Sequence, residues 1–185
     1  DNPRLNEIYL VSNNGLRSSE DAIVTNSVLE GSNVLRSSEH PVVADAELDG
    51  DNTLRSSNYS VVADAEFDGD NILYSSESSS LFNVEGQGNN FLRSSQYPVI
   101  INADLEGKNL LRSSDYPLVI NSELDGDNVL RSSKEPLLVN TEYKGSNRDD
   151  NIPVHNVGED TLDDLAEIAQ NHQGGEAYDE ARKVV

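Results

Sequence analysis

The sequence predicts an all-β, single-domain β-solenoid, or parallel β-helix, and three observations carry the prediction. A 19-residue unit recurs from Leu16 to Arg148 without a single insertion. Within each unit, apolar and polar residues alternate with period two. Glycine and asparagine return at fixed positions between the alternating stretches. One such unit buries too little to fold alone, so copies must stack and share a core. Helical repeats need more than about 30 residues and leucine-rich repeats about 20–29 with a fixed leucine pattern. Nineteen residues suit one turn of a β-solenoid.

The chain divides into three parts. Residues 1–15 hold "RLNEIYLVSNN", which reads as a partial coil capping the start. Residues 16–148 hold seven units, beginning at Leu16, Leu35, Leu54, Leu73, Leu92, Leu111 and Leu130. In "PVVADAEL", alternation places Val42, Ala44, Ala46 and Leu48 inward and Val43, Asp45 and Glu47 outward. The same inward columns hold Val61, Ala63, Ala65, Phe67, then Val99, Ile101, Ala103, Leu105, then Leu118, Ile120, Ser122, Leu124. A shorter strand, "NTLR", puts Leu54 inward and Arg55 outward.

Two turns join these strands. Gly31, Gly50, Gly69, Gly88, Gly107, Gly126 and Gly145 form one column, where a tight corner needs positive φ or space. Asn33, Asn52, Asn71, Asn90, Asn109, Asn128 and Asn147 follow two residues later. Stacked about 4.8 Å apart, such amides can bond from coil to coil. Pro41, Pro98, Pro117 and Pro136 mark the other corner, fixing an extended entry to the strand.

Residues 149–185 break the repeat and form the C-terminal cap. "NRDDNIPVHNVGED" is turn-rich. "TLDDLAEIAQNH" reads as helix, with Thr161 as N-cap and Leu162, Leu165, Ile168 and Ala169 on one face. "EAYDEARKVV" predicts a second short helix. Both are expected to cover the last coil.

Composition limits the partners. Thirteen basic against 34 acidic residues give a net charge of −21, so phosphates of nucleic acids and anionic membranes are repelled. No apolar run approaches the roughly 18 residues that cross a bilayer. The 185 residues contain no cysteine, hence no disulfide and no thiolate metal site. His40, His155 and His172 are scattered, and no Ser-His-Asp spacing, zinc motif or phosphate loop occurs. The expectation is a non-enzymatic protein.

Function is then expected on repeated surfaces. Arg17, Arg36, Arg55, Arg93, Arg112 and Arg131 form a column interrupted by Tyr74. It offers a cationic strip for an acidic polysaccharide or surface ligand, or pairs with Glu20, Glu39, Glu77 and Asp115. Val24, Val43, Val62, Leu81, Ile100, Val119 and Leu138 form an apolar stripe where alternation predicts an outward face. A continuous apolar stripe must pack on something: the helices, a second chain as in a dimer or fibre, or a corner that turns inward. Val34, Thr53, Ile72, Phe91, Leu110 and Val129 form a second such column. Asp49 with Asp51, Asp68 with Asp70 and Asp125 with Asp127 crowd one corner, where calcium would relieve repulsion. The serine pairs beside the arginines offer a flat hydroxyl array of the kind that binds ice. The fourth unit, "LYSSESSSLFNVEGQGNNF", departs most from the pattern.

Two resemblances frame alternatives. The "DGDN" corners resemble the calcium-binding repeats of secreted β-rolls, without their glycine-rich nonapeptide. "ADLEGKNLLR" and "SELDGDNVLR" resemble the tandem units of pentapeptide-repeat proteins, some of which are acidic rods that imitate DNA. That resemblance covers about ten residues per coil. The reading that fits most of the chain is an extracellular or cell-surface structural or adhesive protein acting through repeated ladders.

Overall fold

A computed structural model of the chain describes all residues except 1–3, 8, 12–13, 18–19, 37–38, 57, 76, 95, 114, 133–134, 144–151 and 173–174. It is a parallel β-solenoid followed by two helices. Seven strands, from Asn14–Arg17 to Asn128–Ser132, stack into one sheet. Six parallel pairings join them, each between residues 19 apart. The solenoid therefore makes about six turns with a 19-residue step. The seven units read from the sequence differ slightly from that count; the last of them ends in residues 144–148, outside the described residues.

A larger sheet of thirteen strands supplies the other side. Its strands Ile23–Glu30, Val42–Asp49, Tyr59–Asp68 and Ser78–Gly86 pair in the same register. In the later coils each strand splits, for example into Val99–Ile101 and Asp104–Leu105. The split marks a crease that simple alternation does not anticipate. Asn26, Asp45, Asp64, Asn83, Asn102, Asn121 and Asn140 all have φ between 42° and 50°. Asn and Asp tolerate this left-handed conformation better than other residues with a Cβ. One such residue inside a strand inverts the facing of whatever precedes it.

That inversion corrects the inward assignment. Val43, Ala46 and Leu48 are buried in the core, while Val42 and Ala44 face outward and are half-buried. The column Val24, Val43, Val62, Leu81, Ile100, Val119 and Leu138 is therefore interior, each side chain at most 2% exposed. It is the inward-turning corner, not a surface stripe. Leu16, Leu35, Leu54, Leu73 and Leu92 face it from the shorter sheet and complete the core. In the Leu48 column, Gly86 follows Phe67, so the largest ring meets an absent side chain. A Cβ at Gly86 would lie 2.9 Å from Leu105 Cδ2, which shows how tightly the interior is filled.

Short strands close both ends, at the start as the sequence predicts. At the start, Arg4–Asn6 and Tyr9–Val11 pair with Ile23–Glu30, and Leu5 and Leu10 pack against the core. At the other end, Val154–His155 pairs with Leu137–Val139, and Ile152 and Val154 pack against the core. The helices lie elsewhere. Helix α1 (Glu159–Asn171) and helix α2 (Gly175–Val184) dock on the outer face of the creased sheet, along the side of the last three coils. Leu165 and Ala169 of α1 with Ala177, Tyr178 and Ala181 of α2 cover Val99, Ile101, Leu118, Ile120, Leu137 and Val139. Those strand residues, assigned inward by alternation where it was applied, are outward and buried by the helices. The N-cap of α1 is Gly158 rather than Thr161, so the helix starts earlier than its sequence signal.

Candidate interaction surfaces

Two amide ladders hold the corners. Asn33, Asn52, Asn71 and Asn90 are at most 3% exposed. Each Nδ2 donates to the next coil's Oδ1: Asn33 to Asn52 at 2.9 Å, Asn52 to Asn71 at 3.0 Å, Asn71 to Asn90 at 3.0 Å. The same amides donate to the glycine carbonyl of their own corner, as Asn71 does to Gly69 at 2.9 Å. The side chains of Asn109 and Asn128, and Asn147 as a whole, lie outside the described residues. Asn71→Ala should cost about 2–4 kcal/mol, since it leaves partners on both sides unpaired in a buried row. Urea unfolding of the variant checks this.

The second ladder runs along the crease and escaped sequence reasoning. Asn121 Nδ2 donates to Asn102 Oδ1 at 2.8 Å, Asn102 to Asn83 at 3.0 Å, and Asn83 to Asp64 at 2.9 Å. Asn140 ends it by exchanging hydrogen bonds with the backbone of Val157, which seats the turn before α1. The signal was present: every residue in that column from Asn26 to Asn140 is Asn or Asp.

Beside the crease stands a carboxylate ladder. Glu47, Glu66, Glu85, Asp104, Glu123 and Glu142 pair in register, one per coil. All are exposed except Glu123, which is half-buried. They line two shallow hollows of about 320 and 360 Å³ that share Asn83 and Glu85.

The predicted arginine column is a true ladder on the shorter sheet. Arg17, Arg36, Arg55, Arg93 and Arg112 point outward and are exposed; the side chain of Arg131 is outside the described residues. Tyr74 fills the gap, with the Arg55 guanidinium 5.4 Å from its ring centroid, a cation–π contact. Val34, Thr53, Ile72 and Phe91 lie half-buried on the same outer face; the side chains of Leu110 and Val129 are outside the described residues.

The corner acids line the turns. Asp49, Asp51, Asp68, Asp70 and Asp127 are exposed and Asp125 is half-buried. Asp51 and Asp70 accept backbone N–H bonds from the next coil, at 3.4 Å from Asp70 and 3.1 Å from Asn89. That is a structural use of the carboxylates. Among the described residues, the grouping of three ligand-bearing side chains is instead Asp21, Glu39 and His40, within 4.8 Å of one another and largely exposed. The His40 ring also stacks on Tyr59 at 5.6 Å. At least one serine of every pair lies outside the described residues; Ser56 and Ser75 each donate to a backbone carbonyl of the neighbouring turn.

The fourth unit is explained by packing. Its Phe82 joins the cluster under the helices, and Ser78 donates to the Tyr97 carbonyl at 2.5 Å. Tyr97 and Tyr116 stack on each other, the Tyr178 ring of α2 lies tilted against both, and its hydroxyl donates to the Glu135 carbonyl at 2.7 Å. Burial raises the Tyr178 phenol above its ordinary value. A raised folded-state value means that its stabilisation is complete below about pH 10 and lost as pH climbs through the folded value. Stability to urea should thus decline over that alkaline window, and Tyr178→Phe should make the decline smaller. A cleft of about 450 Å³ adjoins this point, lined by Pro136, Ile152, His155 and Arg182 among others, with Arg182 ion-paired to Glu135 at 2.6 Å.

No described helix is long and apolar enough to cross a membrane. Compared with family models, with curated proteins and with solved structures, the chain matches none.

Proposed function

We propose that the chain is a non-enzymatic structural repeat module that associates side by side with other copies of itself, at the cell surface or outside the cell. The observation that carries this reading is the pair of charge ladders. Arg17, Arg36, Arg55, Arg93 and Arg112 stand on one sheet; Glu47, Glu66, Glu85, Asp104, Glu123 and Glu142 stand on the other. Both repeat with the same 19-residue step. A strip of one sign on one copy is thus commensurate with a strip of the other sign on the next. Such a contact is heterologous, so it propagates instead of closing. The acidic, lysine-poor composition supports the location.

Net charge of −21 opposes association over long range. Near 0.1 M salt, screening beyond about 10 Å removes most of that repulsion but spares contacts at ion-pair distance. Sedimentation velocity near that salt should show mass rising with protein concentration, reverting to monomer near 1 M. Arg36→Glu with Arg55→Glu should abolish the association. Mixing that variant with one carrying Glu47→Arg and Glu66→Arg should restore it. A strict monomer at every salt concentration defeats the reading.

A further inference from the structure

The creased sheet has one outer face and two different borders. Under the helices, the outward columns are Val99 and Ile101, Leu118 and Ile120, Leu137 and Val139, none more than 5% exposed. The same columns continue toward the start of the chain as Ile23 and Thr25, Val42 and Ala44, Val61 and Ala63. These stand half-buried, with no helix over them among the described residues. The sheet surface is therefore continuous, and only its later half carries a helical cover.

The crease border changes where the cover ends. Helix α1 reads EDTLDDLAEIAQN, with five acids and no base. Along the covered stretch the crease column is neutral, Asn102, Asn121 and Asn140, and the opposite border is Tyr97, Tyr116 and Glu135, the last ion-paired to Arg182 of α2. Along the open stretch the crease column runs from Asn26 to Asp45 and Asp64, and the opposite border holds Asp21, His40 and Tyr59, with Glu39 beside His40. Where the cover meets an acid of its border, at Glu135, helix α2 supplies Arg182, and the Asp45–Asp64 column flanks a face left open. Ala44 and Ala63 keep that face low, as Ala169, Ala177 and Ala181 do on the helices already docked.

We propose that this open face binds an amphipathic helix of a partner protein, with a small apolar stripe flanked by lysine or arginine. The helical form follows from continuity with the α1–α2 interface, and the basic flanks from the charge of the borders. A second copy of the same face is disfavoured, because it would bring Asp45 and Asp64 against their own equivalents.

The test uses synthetic peptides of about 18 residues, long enough to span the face as a helix. One carries a Leu/Ala stripe with lysine flanks, a second the same stripe with glutamate flanks, a third lysine flanks with serine in the stripe. Fluorescence anisotropy against the whole chain should show the first binding at least about tenfold tighter than either control. Val42→Asp with Val61→Asp should weaken it at least about tenfold, although the added charge alone would attract lysine. Asp45→Asn with Asp64→Asn should weaken it about three- to tenfold, while the new amide oxygen at the second position can still accept from Asn83. Circular dichroism verifies that both variants fold. Equal binding of the serine-stripe peptide, unchanged binding by the Val42→Asp/Val61→Asp variant, or self-association of the chain that this variant abolishes would each overturn the proposal.

Discussion

Val62→Asp should unfold the protein or cost at least about 4 kcal/mol, while Val61→Asp should cost under about 1 kcal/mol. The two residues are adjacent and chemically identical, so only their facing distinguishes them. Val62 is fully buried between Val43 and Leu81, in an interior where no cation waits for a carboxylate. Val61 is half-buried on the outer face, where an aspartate stays in contact with water. Simple alternation assigns the two residues the other way round. Urea denaturation of both variants decides between the two facings. If Val61→Asp proves the damaging one, the crease at Asp64 is misplaced and the core as described is wrong.

The second large effect belongs to the corner glycines. Gly69 has φ of +96°, and a Cβ there would lie 2.6 Å from the Gly50 carbonyl oxygen and 2.8 Å from its carbon. Both obstacles are backbone of the coil below, and neither can rotate away. Gly69→Ala should therefore cost about 3 kcal/mol or more, combining a disfavoured φ with a clash that the register itself enforces. Gly15→Ala is the control. No atom lies within 4 Å of a Cβ built at Gly15, so that variant should unfold within about 0.5 kcal/mol of the parent. Thermal or urea unfolding of the two separates a conformational demand of the stacked corner from a general intolerance of larger residues.

The 19-residue period, the glycine corner, the buried asparagine row and the parallel stacking were all legible in the sequence, because each repeats at the coil step. The crease was harder to read. Val42 and Val43 are both valine, so hydrophobicity alone cannot say which points inward. The deciding residue was Asp45, whose column is exclusively Asn or Asp, a left-handed signature that reads as an ordinary polar position in an alternating strand. The helix-docking face was legible in a different way. Coils with "VII", "LVI" and "LLV" carry large apolar side chains on both faces, whereas coils with "VVA" carry alanine on the outer one. A strand apolar on both sides must be covered on both sides, and the helices are the cover. Of the candidate surfaces, the arginine ladder was visible as a column. The carboxylate ladder was hidden by a composition in which acids are common everywhere.

The solenoid requires residues 19 apart to sit one strand spacing from each other along a common axis. Since the chain has no cysteine, pairs of engineered cysteines carry spin labels at two chosen sites only. Glu47→Cys with Glu142→Cys spans five in-register steps on the creased sheet. Arg17→Cys with Arg112→Cys spans five on the other. Double electron–electron resonance should return one narrow distance near 24 Å for both pairs, about five times the strand spacing of about 4.8 Å. Two clearly different distances, or a mean near twice that value, would contradict the stacked solenoid.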